Sequence, residues 1–195
     1  MIDDLDKTLE ALLKEKLPSD LVGQLTISFA TPDGQFPPPA VTLPAIDLFL
    51  YDVRENRELR FNEWTTERTD QGKGIRRQPP ARVDCSYLIT AWASESSPNP
   101  AQDEHRLLGE VMQVLLRYRQ FPSDALRGNL VGQTPPLRII PLQPGYLQSL
   151  GEFWQALGGK PKAALNYSVT VSVDLFDVVE APLVKENTIR ISQGI

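Results

Sequence analysis

Two residues of this 195-residue chain stand alone in their type, one cysteine at Cys85 and one histidine at His105. Together they could supply a thiolate nucleophile and an imidazole base, the pair on which acyl-transfer chemistry is built. Such a thiol needs its pKa lowered by a helix N-terminus or a cationic neighbour. Cys85 has neither in sequence. It sits in the middle of VDCSYLITAWA, residues 83–93, between the same-face neighbours Val83 and Tyr87, where a free cysteine behaves as a small hydrophobe. His105 falls in the first turn of a helix beside Asp103 and Glu104, a partly exposed place where the helix end lowers histidine basicity. The spacing therefore predicts a packing role for Cys85 and no catalytic residues.

Other chemistry fares no better. Asp3, Asp4 and Asp6 form an acidic cluster, but carboxylates in a first turn are ordinarily partners of the helix dipole. A structural zinc site needs four cysteine or histidine ligands, and no EF-hand loop is present, so no metal ligands are expected. The GKG at 72–74 is not a phosphate loop. Glu67 stands where the earlier glycine is required, and neither serine nor threonine follows Lys73. No cofactor-binding motif appears. Lys73, Arg76 and Arg77 make a small basic patch, read as a solvated loop or as a contact for an acidic protein partner.

A net charge of −5 argues against nucleic-acid binding, which requires a basic face to displace counterions. One cysteine forms no internal disulfide and fits a reducing compartment. The N-terminal MIDDLDKTLEALLKEKL is acidic where a signal peptide is basic, and no apolar run approaches the roughly 18 residues that span a bilayer. The expectation is a chain made and assembled in the cytoplasm, with no membrane insertion.

The elements that position these residues follow from periodicity. Leu5, Leu9, Leu12 and Leu13 recur at helical spacing over 2–16, ended by Leu17-Pro18. Residues 25–29 form a short strand. In PAIDLFLYDVREN both faces carry apolar groups, with Ile46, Leu48, Leu50 and Asp52 on one side and Asp47, Phe49, Tyr51 and Val53 on the other, which marks a central strand. Residues 54–82 are polar and read as a long exposed loop or a hairpin arm. Residues 83–93 alternate as a second central strand. Asn99 caps a helix that begins at Pro100 and buries Leu107, Leu108, Val111, Met112, Val114, Leu115 and Tyr118. Residues 137–142, cut by Pro141, suit a sheet edge, and 150–157 is a short helix stopped by Gly158. Leu165, Tyr167, Val169, Val171, Val173 and Leu175 share one face of the cleanest strand, the other face meeting water or a partner. In the tail, 186–195, Ile189 and Ile191 alternate with polar neighbours, as in a last strand of the sheet or a strand that pairs with a neighbouring subunit.

The residues thus describe one mixed α and β domain over 1–195, α+β with a single mainly antiparallel or mixed β-sheet flanked by helices. By themselves they leave open a structural protein, a cytosolic enzyme of unknown class using Cys85 or a carboxylate pair, and a monomeric binding module. Five segments in order and spacing narrow the choice: TLPAIDLFLYDVREN, PPARVDCSYLITAWA, EHRLLGEVMQVLLRYRQFP, LGEFWQALGG and LNYSVTVSVD. This set resembles the N-terminal domain of the cap, or tube-terminator, proteins of phage-tail-like extracellular contractile injection systems. The resemblance implies a fold similar to phage tail terminators. It also implies a homohexamer ring on the distal end of the inner tube, with tube and sheath proteins as partners, ending the growth of both within a particle that is released or anchored. Larger relatives extend beyond this domain, whereas the chain stops at Ile195. A cap ends growth by closed symmetry, so the arm at 54–82 and the tail at 186–195 become the candidate interfaces, with Lys73, Arg76, Arg77, Ile189 and Ile191 their candidate contact residues.

Overall fold

The computed structural model describes residues 1–61, 63–68, 74–142, 149–177 and 179–181. In chain order its elements are α1 (Ile2–Lys16), α2 (Ser19–Val22), β1 (Thr26–Ser28), β2 (Ala45–Glu55), β3 (Thr65–Arg68), β4 (Gly74–Arg77), β5 (Ala81–Trp92), α3 (Pro100–Arg117), β6 (Arg138–Pro141), α4 (Leu150–Ala156), β7 (Ala164–Val173) and β8 (Val179–Ala181). The larger sheet runs β1-β2-β5-β7-β6. Its β1–β2 pair is parallel and every other pair antiparallel, so the sheet is mixed. The central position of β2 and β5 and the edge position of β6 agree with their sequence patterns.

One face of this sheet meets α1 and α3. Leu5, Leu9, Leu12 and Leu13 of α1 and Leu107, Val111 and Leu115 of α3 close over Ile46, Leu48, Cys85, Tyr87, Ile89, Tyr167, Val169 and Val171, forming the main core. At about 25 cal/mol per Å² of apolar surface, this burial is the dominant favourable contribution to folding. The loop after α3 is tied to α1 by polar groups. Thr8 Oγ1 accepts from the Arg127 amide at 3.0 Å, and Asp4 accepts from the Asn129 amide at 3.3 Å. Gly128 has a φ of 54°, the left-handed region that favours glycine, and a Cβ there would force the Asp4 carboxylate to shift.

The structure revises several sequence expectations. The β2–β5 register slips between Leu50 and Asp52, leaving Tyr51 as an extra residue. Beyond this bulge the face assignment reverses: Asp52 opposes Ser86 on the second face, while Val53 opposes Cys85 on the helix side and is exposed. Leu175 does not share the core face of β7, because β5 begins at Ala81, opposite Val173, and the ladder has no partner beyond it; Leu175 is 57% exposed. Asn99 occupies the cap position of α3, but its side chain accepts no capping bond, and Tyr118 lies past the helix end. The second face of β7 is not simply wet. Thr170 and Ser172 are buried there, Thr170 donating to Asp84 at 2.6 Å and Ser172 accepting from the Arg82 guanidinium.

That second face has two differently built halves. At the end carrying the start of β2, α4 supplies an aromatic cover, with Phe153 packed at 6.2 Å from Phe49 and at 5.6 Å edge-on to a buried Trp154. Phe36 stacks on Trp92 at 4.2 Å alongside. At the other end the cover is polar: Asn56 donates to Asp84 at 3.0 Å, and Arg82, only 6% exposed, donates to the Pro135 and Pro136 carbonyls. Residues 54–55 and 81–82 belong to these central strands. Between them β3 and β4 form a hairpin, and β8, a strand without a clear sequence signal, pairs with β4 into a separate three-stranded sheet, β3-β4-β8.

Candidate assembly surfaces

The strands that carry the chemically capable residues also decide what those residues can do. Cys85 is fully enclosed on the core face of β5. Burial first, and then the charges of Asp84, Asp6 and Asp52, push its thiol up to about 11, the reverse of what a nucleophile requires. His105 is exposed on α3. Among the described residues no cluster of three or more His, Cys, Asp or Glu is placed to hold a metal ion. Cys85→Ala is expected to cost about 1 kcal/mol in chemical denaturation and to leave assembly intact; loss of assembly with the fold preserved would contradict the packing role.

The acidic cluster divides by role. Asp3 pairs with the amino terminus at 2.8 Å and with Lys7 at 3.0 Å, which hold its carboxyl well below the ordinary range. Asp6 instead turns inward to accept from the Tyr87 hydroxyl at 2.8 Å, and burial raises its pKa against that bond. Facing Tyr87 in register, Tyr167 is buried with no partner for its hydroxyl among the described residues. The two tyrosines should therefore respond oppositely. Tyr87→Phe should destabilise by about 1–2 kcal/mol by stripping Asp6 of its donor, whereas Tyr167→Phe should be neutral or stabilising by up to about 1 kcal/mol. Equal losses in a denaturant titration would refute the contrast.

Some of the exposed large apolar side chains belong to the small sheet or to the chain next to its strands. Phe61, Trp64, Phe176 and Val179 lie there with Leu175, and Phe61 is 69% exposed. Arg76 lies 4.8 Å over the Trp64 ring, a cation–π contact that holds both groups on the arm's surface, and Arg77 is exposed beside it. Lys73, Ile189 and Ile191 lie outside the described residues. Apolar side chains interleaved with arginines are the composition of protein contact surfaces rather than of a reaction centre.

The comparison with known proteins decides the family, because the Pvc16 N-terminal domain model matches residues 4–186. The chain belongs to the Pvc16 N-terminal domain family. Within solved structures, this family member is similar to the sheath/tube terminator of an extracellular contractile injection system, PVC, in its extended state. That match has 29% identity and a TM-score of 0.70, covering 100% of this chain and 64% of the other. It is likewise similar to the tube-terminating cap of the anti-feeding prophage, with 28% identity and a TM-score of 0.65, covering 98% of this chain and 61% of that one. The chain thus spans somewhat under two thirds of each relative. No curated protein sequence matches it. The fold class and the family suggested by the five segments are both established by these likenesses. Among the described residues no helix is long and apolar enough to cross a membrane.

Proposed function

We propose that the chain is a structural terminating cap of a contractile injection system, ringing the distal end of the inner tube and ending the growth of tube and sheath. The observation that carries this reading is likeness over essentially the whole chain to two solved terminators at 28–29% identity. The role is architectural rather than catalytic, in keeping with the enclosed Cys85 and its raised pKa. Residues 1–195 act as a single domain whose copies close a six-fold ring, with the tube and sheath proteins as partners. Assembly takes place in the cytoplasm.

A ring ends growth when one face matches the last tube layer and the opposite face does not reproduce it. The arm, with Lys73, Arg76 and Arg77, and the tail, with Ile189 and Ile191, are the contacts proposed for this. Electron microscopy of the chain co-produced with its tube and sheath proteins tests the reading. Six-fold density at one end of tubes of uniform length is the expected image. A chain that stays monomeric and leaves tube length uncontrolled would overturn it. Deleting 186–195 should abolish ring closure or sheath attachment, and a deletion that preserves both removes the tail's assigned role.

A further inference from the structure

Between the base of the arm and the β6 edge, the second face of the large sheet opens into a cleft of about 260 Å³. Its walls are apolar: Leu59, Phe61, Pro79, Pro80 and Pro135. The charged groups among its described lining residues are two guanidiniums, Arg82 and Arg138, with no carboxylate among those residues. This is unexpected in a chain with 25 acidic residues against 20 basic ones.

Arg82 is 6% exposed and spends three of its donor bonds on Pro135 O, Pro136 O and Ser172 Oγ, none of them a carboxylate. A guanidinium carries five N–H donors, more than these three bonds use. Arg138, exposed two strands away across β7, has neither a hydrogen-bond nor an ion-pair partner among the described residues. Register places both on one side of the sheet, Arg82 opposite Ser172 and Arg138 opposite Thr170 on either side of β7. Burial lowers the pKa of Arg82, Asp84 opposes that, and Arg138 adds to it, so the two cations sense one another. An anion between them would relieve that repulsion, and a carboxylate fits the planar donor edge of a guanidinium.

We infer that this cleft is a docking site for an acidic segment of a partner protein, one apolar side chain seated against Phe61 and the prolines with a neighbouring carboxylate between Arg82 and Arg138. The volume suits one large side chain rather than a cofactor, since sites for whole small molecules start at roughly 300 Å³. Phe61, largely exposed in the free chain, gains its cover on binding, as anchor aromatics at interfaces do. The inference concerns the isolated chain and stands independently of ring formation.

Short fluorescein-labelled peptides centred on Glu-Phe-Glu, Gln-Phe-Gln and Glu-Ala-Glu, titrated by fluorescence anisotropy at low salt, provide the test. The Glu-Phe-Glu peptide should bind about tenfold or more tightly than either control, with affinity falling as salt rises. Arg138→Glu and Phe61→Ser alter exposed side chains, so each should weaken binding about tenfold at an unchanged melting temperature. Arg82→Lys, which keeps the charge but loses the planar edge, should weaken it too while circular dichroism reports a folded chain. Equal affinity for the Gln-Phe-Gln peptide overturns the inference, as does competition by inorganic phosphate as effective as that of the peptide. So does an absence of binding at millimolar peptide by a folded chain.

Discussion

Lowering the pH from 8 to 5 is expected to stabilise the protein by about 2–3 kcal/mol through one carboxyl, that of Asp47. Asp47 is fully buried near the start of β2, where burial pushes its pKa from 3.8 up to about 7 against opposing hydrogen bonds from Ser28 and the Ala30 amide. Its Oδ1 accepts from Ala30 at 3.0 Å, while Oδ2 has no partner among the described residues. The folded state therefore holds the proton more tightly than the unfolded chain. The associated stability is complete below about pH 4 and disappears as the pH rises through about 7. Asp6, whose pKa is also raised, contributes in the same direction, so the comparison that isolates Asp47 is with Asp47→Asn. The amide keeps an acceptor for Ala30 and carries no charge. Asp47→Asn should raise stability at pH 8 and flatten the slope between pH 5 and 8 in urea titrations, and a variant retaining the full slope would remove Asp47 as its source.

This carboxyl also marks where sequence reading stops. Period-two alternation identified β2, β5 and β7, and helical spacing identified α1 and α3, because those side chains segregate by face over many residues. Alternation counts residues, however, and cannot register one added at a bulge; hence Val53 and Asp52 exchanged sides without any change of composition. Nor does it tell which polar residues will be covered by distant chain. Asp47, Asp84 and Arg82 look like surface charges until residues 28–30, the arm base and residues 133–136 fold against them. The candidate surface was legible in part. The arm's polarity pointed to Arg76 and Arg77, but the apolar companions Phe61, Trp64, Leu175 and Phe176 are scattered over more than 100 residues and gather only through the β4–β8 pairing and the β5–β7 register. No local signal could have assembled them.

Trp154→Ala should lower stability by about 3–5 kcal/mol. The indole is 2% exposed on a helix of only seven residues, too short to hold its shape without tertiary packing. It meets Phe153 edge-on at 5.6 Å, and Phe153 in turn reaches Phe49 on β2. Gly159, whose amide returns to the Trp154 carbonyl at 3.0 Å, leaves room for the ring: a Cβ there would come within 3.1 Å of it. The Gly34 amide meets the Leu157 carbonyl at 3.2 Å, so the loop between β1 and β2 is anchored to the same helix end. Removing the indole leaves a cavity that α4 cannot close by shifting without straining the Gly34–Leu157 bond, which argues for the upper part of the range. For a chain of this size the loss corresponds to a fall of roughly 10 °C in melting temperature. Hydrogen exchange separates local from global failure. Faster exchange confined to 30–36 and 150–159 means that α4 with its loop detaches as a unit, whereas acceleration spreading to β5 means that the aromatic cover and the main core are one cooperative structure. The shared strands β2 and β5, whose two faces carry both covers, predict the second result.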